Sequence, residues 1–369
     1  MRVFLWLGTI GFGGPVVHLA LMEEEVVRRR QWIAIEEFLD LVGLTNLIPG
    51  PNSTELAMAL GHRRAGWPGL VLGGACFILP AATITCTLAW LYVRFGGLPE
   101  VAPWLAALGP AVVGLMAGAV VRLARHAFAR GAQVGIGVAV LMLALAGVDE
   151  VLLLIGGGVA GALAGSWTRA SLMVVLAAGL STMSIAAQAA GAPGADPSLW
   201  AVGLFFLKTG AVLYGSGYVL VALLQPLVDS YGWLSQAQLV DAVAAGQVTP
   251  GPVLTTATFV GFLLRGTGGA AVATAAIFLP AFLLVGGLGQ VATRVRTWPP
   301  GRGFLHGVNA AAVALMVAVT ITLARAVVID AAGALIVVLG VGAALRGVSG
   351  GWIVLGGLVA GGLLRVLSL

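Results

Sequence analysis

Along this chain, apolar residues run unbroken for about 20 positions at a time, the length a helix needs to cross a bilayer core. Polar residues gather between the runs. Such runs cover residues 3–22, 66–93, 104–124, 131–148, 151–166 and 170–190. A second set covers 199–224, 268–292, 304–324, 330–345 and 351–368. Two further stretches, 36–61 and 237–264, are apolar but interrupted by Pro49-Gly50-Pro51 and Pro250-Gly251-Pro252. Strands of a membrane barrel would alternate apolar and polar positions, and these runs do not. The pattern predicts an all-α polytopic membrane protein with no soluble domain between its spans.

Composition supports the same class. Of 369 residues, 60% are apolar and 9% charged, against about 25% charged in a soluble domain. The 55 glycines suit a tight bundle, because helices in lipid approach through small residues rather than by excluding water. The formal charge of +5 comes from arginines scattered at segment ends, where cytoplasmic loops collect them, so nucleic acid is not an expected partner. Cys76 and Cys86 share one apolar segment and read as packing residues, with no disulfide, metal site or cofactor implied. The N-terminal "MRVFLWLGTIGFGGP" lacks a small-x-small cleavage site and reads as a first membrane segment rather than a removable signal.

The chain repeats itself. "LMAGAVVRLAR" (115–125) matches "LMVAVTITLAR" (315–325), and "CFILPA" (76–81) matches "AIFLPA" (276–281), both at an offset of 200. "WIAIEEFLDLVGLTNLIPGP" (32–51) matches "WLSQAQLVDAVAAGQVTPGP" (233–252) at 201, and "LGTIGFGG" matches "KTGAVLYGS" loosely at 202. Residues 1–168 and 199–369 are therefore expected to be two copies joined by a membrane segment within 169–198. If each interrupted stretch is one broken crossing, the chain makes about 13 transmembrane segments, with broken helices at the PGP motifs, and the copies are inverted. Most arginines then fall on one side with the N-terminus. Arg28, Arg29 and Arg30 fall on the other, offset in part by Glu23, Glu24 and Glu25. Were the PGP stretch instead a re-entrant hairpin, the count would change and the copies would be parallel.

Non-helical backbone at membrane depth is tolerated only where it is buried in protein or lines a cavity. A half-helix N-terminus there offers unpaired N–H groups and a positive dipole end, which suits an anion. The candidate binding residues follow the breaks: Gly50, Asn52, Ser53 and Thr54 in the first copy, Gly251, Thr255 and Thr256 in the second. The glycine-rich turns "GFGGP" and "YGSGY" add Gly13, Gly14, Gly215 and Ser216. Two breaks per copy, meeting two from the other, predict one enclosed site. The bland alternative is a pair of proline kinks, but the duplication weighs against it.

Ionisable residues at this depth each need a reason. Lys208 either faces an anion or reaches to the interface. Asp40 and Asp241 match across the copies, as do the amides Asn46 and Gln247. They support the breaks by hydrogen bonding or carry protons. Glu55 follows the first break with no acidic counterpart and is a coupling candidate. Arg125 and Arg325 read as helix ends; His18 and His306 read as packing residues.

The stretches "LGTIGFGGPVVHLALMEEEVV", "QWIAIEEFLDLVGLTNLIPGPNSTELAMALGHRRAGWPG" and "ACFILPA" resemble the chromate ion transporter family in its long two-repeat form, over nearly the whole chain. The resemblance implies export of chromate from the cytoplasm across a bacterial inner membrane, conferring resistance. The chain departs from the family pattern in its abrupt N-terminus, in YGSG for FGGP, and in lacking a second-copy match to His18. A carrier of sulfate or another tetrahedral oxyanion remains the alternative, and a homodimer stays open. A dianion leaving an interior at −100 mV gains about 4.6 kcal/mol, roughly a thousandfold gradient, so export needs no proton coupling. An intramembrane hydrolase with Ser53 as nucleophile is the reading from another class. It lacks a base at recognisable spacing, an H-E-x-x-H motif and a G-x-S-x-G elbow. A channel suits duplicated broken helices less well than alternating access.

Overall fold

The computed structural model describes residues 1–11, 15–45, 48–98, 100–128, 131–163, 196–214, 217–287 and 299–367. Among them every regular element is helical. The first copy contains α1 (Arg2–Ile10), α2 (Pro15–Glu23) with a π-helical extension Glu24–Arg29, α3 (Ile35–Thr45), α4 (Ser53–Phe95), α5 (Ala102–Ala127), α6 (Gly131–Leu145) and α7 (Glu150–Leu163). The second contains α8 (Leu199–Val212), α9 (Val219–Leu224), α10 (Pro226–Asp229), α11 (Gln236–Val248), α12 (Thr256–Gly287), α13 (Pro299–Val327), α14 (Ala331–Leu345) and α15 (Gly350–Leu367). Four helices are long and apolar enough to cross a membrane, in α4, α5, α12 and α13, and six shorter apolar helices accompany them. This is a multi-pass membrane protein.

The two longest helices are each two helices. In α4 the backbone leaves the helix at Ala65 (φ −149°, ψ 26°) and Gly66 (φ 60°, ψ −147°). In α12 it does so at Arg265 (φ −145°, ψ 30°) and Gly266 (φ 59°, ψ −150°). The positive φ at the second position is why glycine stands there twice. Beyond each turn the chain doubles back. Gly61 lies on the Gly69 carbonyl and Gly73 on that of Ala57; Gly261 lies on that of Gly269. Thr258 and Thr274 hydroxyls meet at 2.8 Å. Without a side chain at these glycines the two backbones come into direct contact, the small-residue packing expected in lipid.

The PGP triplets also sit at reversals. Arg63, at the end of the 53–64 helix, forms an ion pair with Glu37 at the start of α3, and Arg64 lies 5.1 Å over the Trp32 ring. Residues 37 and 63 are equidistant from Gly50, so α3 and the 53–64 helix are the arms of a hairpin with the triplet at its tip. In the second copy one phenol, Tyr92, bonds Asp241 at 2.8 Å and packs on Phe259 at 5.4 Å. Those two residues lie on either side of Gly251 in the chain, so the helical arms before and after the triplet run side by side. The 11 residues of α3 rise about 16 Å, about half the thickness of a hydrocarbon core.

The segments before them fold likewise. Arg2, Val3 and Trp6 of α1 line one cleft with Glu25, Arg29 and Arg30 at the end of the next arm, and His18 Nε2 sits 2.8 Å from the Gly11 carbonyl oxygen. Phe4 packs on Trp32 at 6.2 Å, and Phe205 on Trp233 at 6.3 Å in the second copy. The expectation of one broken crossing per PGP stretch is therefore corrected: among the described residues the breaks are hairpin tips. A run of apolar residues reads alike whether the chain passes through or turns back, so periodicity could not separate the two.

The copies embrace. Gly74 of α4 lies against Phe282 of α12, and Gly286 against Trp67, so these two helices run antiparallel. Gly157 and Gly161 of α7 pack on Ala311 and Gly307 of α13; Gly357 and Gly361 of α15 pack on Ala111 and Ala107 of α5. Each copy closes its bundle with the other's long helix.

Replacing Gly61 by isoleucine forces apart helices whose backbones touch. We expect a loss of about 1–3 kcal/mol or more, read as a lowered unfolding midpoint in detergent. An unchanged midpoint contradicts the packed hairpin.

Candidate functional site

The tips meet across the copies. The Gly50 N–H donates to the Leu213 carbonyl at 2.8 Å, and the Gly251 N–H donates to that of Gly11 at 2.9 Å. Each acceptor is the residue that ends an opposing helix, Leu213 after α8 and Gly11 after α1. These reciprocal bonds bring together four interruptions that are distant in sequence. They answer the backbone groups that an interruption in lipid must not leave unpaired. Gly50 lies at φ 143° and Gly251 at φ 91°. A methyl group at Gly50 would also run into the Glu55 carboxyl.

The distal part of α4 is the spine of this junction. Along it Gly73 meets Ala57, Phe77 meets Gly8 and Ala81 meets Gly251. Thr85 follows, donating toward Thr255 and Thr249 at 3.2 and 3.4 Å, and then Tyr92 on Asp241. Sequence reasoning missed Thr85 and Tyr92. The signal was present: both are polar, seven apart, on the face that carries Phe77 and Ala81.

The two tips differ in how their polar groups are satisfied. In the second copy the Thr255 hydroxyl donates to the Pro252 carbonyl at 3.0 Å and accepts from Thr85; Thr256 donates to Val253 at 2.8 Å and Thr249 to Gly246 at 3.2 Å. In the first copy Ser53, Thr54 and Glu55 are 1%, 0% and 0% exposed. The Ser53 and Thr54 hydroxyls and both Glu55 carboxyl oxygens have no hydrogen-bond partner among the described residues. Orphaned buried polar atoms of this kind each cost about 1–3 kcal/mol, and here they stand on three consecutive residues. The residue before them, Asn52, takes a positive φ of 57° and accepts from Thr45 at 2.5 Å, and its side chain makes no capping hydrogen bond to the helix it precedes. The substitutions at equivalent positions explain the difference. Where the second tip has Thr249 and is met by Thr85, the first has Ile48 and, at the position equivalent to Thr85, Val285.

The other expected residues divide. Lys208 lies 3.7 Å from Asp149, both about two-fifths exposed. Asp241 is buried and accepts from Tyr92 rather than from a backbone N–H, whereas its match Asp40 is exposed. Gln247 is buried with its amide nitrogen unpartnered and its oxygen toward Gly350. Gly13, Gly14, Asn46, Gly215 and Ser216 lie outside the described residues. Among the described residues no group of His, Cys, Asp and Glu is arranged to hold a metal.

Comparison with known proteins adds a second line. A family model described as "Chromate transporter" matches residues 1–162 and 200–362. A protein named "Chromate transport protein" from Cupriavidus metallidurans is 34% identical over 350 residues, 93% of this chain and 86% of that one. Another of that name from Pseudomonas aeruginosa is 32% identical over 338 residues, 87% of this chain and 80% of that one. No solved structure matches.

Two substitutions test the junction. Gly50→Ala places a methyl against a buried carboxyl at a backbone angle that disfavours it, and should abolish assembly or activity. Tyr92→Phe strips Asp241 of its phenol donor and should cost about 1–3 kcal/mol in detergent unfolding. A neutral Tyr92→Phe contradicts the latch.

Proposed function

This chain belongs to the chromate transporter family, and on that premise we propose that it exports chromate from the cytoplasm by alternating access, binding the anion between the hairpin tips. The observation that carries the reading is the set of buried, unpartnered hydroxyls on Ser53 and Thr54, beside the start of a helix that presents its N-terminal amides. Two hydroxyl donors and a positive dipole end are what an oxyanion requires. The second tip, whose hydroxyls are spent on its own backbone and on Thr85, acts as the scaffold. Thr255, Thr256 and Gly251 support the site rather than line it, and Asn52 braces the turn. Lys208, engaged by Asp149, is assigned a place at the outer mouth.

We propose inverted copies. Three observations support this. The equivalent helices α4 and α12 run antiparallel where Gly74 meets Phe282 and Gly286 meets Trp67. From residue 67 to 95 the chain passes first along the arms of its own hairpin, then the two tips, then down the arms of the other, ending at Asp241. The two hairpins thus enter from opposite faces. After its hairpins each copy has an even number of helices among the described residues, in distal α4 through α7 and distal α12 through α15, so on this reading a single crossing within 169–198 would invert the second copy. In this arrangement Arg28, Arg29 and Arg30 share a face with Arg2, Arg63 and Arg64. The cluster that opposed the positive-inside bias now joins it, which assigns that face to the cytoplasm.

The membrane potential supplies the driving force, about 4.6 kcal/mol per dianion at 100 mV. Extrusion by this route lowers cytoplasmic chromate and accounts for resistance.

Chromate efflux from sensitive cells tests the site. Ser53→Ala and Thr54→Val should each slow efflux about tenfold, the loss of one hydrogen bond to a charged group of about 1.5 kcal/mol, with expression unchanged. Thr256→Val should slow it less. Equal effects at both tips would contradict a site on the first copy. Cysteines at positions 29 and 63 should both label from the cytoplasmic side, and labelling from opposite sides overturns the hairpin topology.

A further inference from the structure

The base of the first hairpin carries a charged cleft that the tip junction does not use. Arg2, Val3 and Trp6 of α1 line it together with Glu25, Arg29 and Arg30, and it holds about 350 Å³, within the range of small-molecule sites. Glu25 is buried and grips two guanidiniums at once. One carboxylate oxygen accepts from Arg29 Nη1 at 3.0 Å and the other from Arg30 Nε at 2.6 Å. The π-helical turn makes this possible. In an α-helix residues 25 and 30 would stand about 140° apart around the axis. Here the Arg30 N–H donates to the Glu25 carbonyl at 3.1 Å, five residues back, and the wider winding brings one side chain over the other. Arg30 also lies 5.9 Å from the centre of the Trp32 ring.

The charges of the cleft do not cancel. The guanidiniums of Arg2, Arg29 and Arg30 stand against a single carboxylate. The other acids of this segment, Glu23 and Glu24, are taken by Arg28 at 3.0 and 3.7 Å. Arg29 and Arg30 each spend one nitrogen on Glu25 and keep further N–H donors. Arg2 is exposed and pairs with no acid among the described residues. An apolar path leads away from it. Arg2, Trp6 and Ile10 follow one another at i, i+4 and i+8 on one face of α1, with Leu5 beside them. Leu5, Trp6 and Ile10 are all exposed, which in a membrane protein places them toward lipid.

We propose that this cleft binds the headgroup of an anionic phospholipid. Arg2, Arg29 and Arg30 take the phosphate oxygens, the planar, charge-assisted recognition for which arginine is suited. Trp6 stands at headgroup level, where indoles are favoured, and an acyl chain runs along Leu5 and Ile10. Glu25 is a positioning residue. It lowers the charge of the cleft, yet it holds two donors side by side that would otherwise repel. Free phosphate offers the same oxygens without the acyl contact, so the exposed stripe on α1 is what favours a lipid. A bound lipid ties the start of α1 to the end of the following arm and so braces the base of the first hairpin.

The test uses the purified full chain in mixed micelles of detergent with phosphatidylglycerol or with phosphatidylcholine. Native mass spectrometry counts the lipid retained per chain, and the unfolding midpoint is read in parallel. The wild type should retain phosphatidylglycerol about tenfold better, and only that lipid should raise its midpoint. Arg2→Gln and Arg29→Gln should each lower retention about tenfold, the loss of one charge-assisted contact. Arg94→Gln, exposed in the last turn of α4, should leave it unchanged. Glu25→Gln separates a built site from simple charge attraction. It makes the cleft more positive but releases the two guanidiniums, so retention should fall, and a rise overturns the proposal. Equal retention of the two lipids overturns it as well, as do Arg2 and Arg29 variants that hold phosphatidylglycerol like the wild type. Glycerol phosphate and chromate form separate arms. Displacement of the lipid by either at millimolar concentration marks a site for free anions and overturns the assignment to lipid. Should Glu25→Gln fail to fold, Arg2→Gln, at an exposed residue, still decides.

Discussion

A peptide group inside a bilayer has no water to turn to, and that constraint organises the molecule. A hairpin that enters the membrane and returns must reverse at depth, where several N–H and C=O groups lose their helical partners. Here two such reversals are solved together. The Gly50 amide finds the Leu213 carbonyl and the Gly251 amide finds that of Gly11. Neither tip could be left exposed to lipid, so each is tied to the turn of the opposite copy. The duplication is therefore more than a record of ancestry. One copy alone would present two interrupted helices with carbonyls and amides unanswered, and the second copy answers them.

Having used the same device twice, the chain then makes the tips unequal. The hydroxyl cluster of Thr85, Thr249 and Thr255 knits the second tip, while Ile48 and Val285 stand at the corresponding positions of the first. Thr54 matches Thr255 in sequence, yet one is an orphan and the other a structural brace. The result is a pseudo-symmetric scaffold with one satisfied and one unsatisfied tip. The cost of the unsatisfied tip, and of the positive φ at Asn52, is strain held where a ligand can relieve it. Close packing of glycine on backbone, at Gly61, Gly73 and Gly261 among others, is the means by which the surrounding helices hold that strain.

Much of this was legible in the sequence and some was not. The offset of about 200 between matching stretches exposed the duplication, and the two PGP triplets marked the places where backbone must be buried in protein. The direction of the chain after each triplet was hidden, because an apolar arm of eleven residues looks the same going in or coming out. Complementary charges held the answer: Glu37 and Arg63 stand equally far from Gly50, and Arg28 to Arg30 made no sense on the far side. Asp40 and Asp241 match across the copies in sequence but stand in different surroundings, one exposed and one buried. Tyr92, which holds Asp241, has Ala292 as its counterpart, so Asp40 has no phenol to meet it. Thr85 and Tyr92 went unnoticed because a threonine and a tyrosine in a long apolar run look like tolerated exceptions until something polar is known to face them.

The geometry also bears on how such a junction can move. Among the described residues the tips are joined by two backbone hydrogen bonds, and each hairpin is fastened to its own copy by glycine-to-backbone contact along its length. The distal part of α4 complicates this picture instructively. It touches its own hairpin at Gly73 and Phe77 and the opposite one at Thr85 and Tyr92, so the second hairpin cannot rock without dragging or releasing that helix. The Tyr92–Asp241 bond is then where motion of one copy is felt by the other. At the position equivalent to Tyr92 the chain has Ala292, so this phenol tie has no counterpart on the first copy's hairpin, the one that carries the unpaired groups.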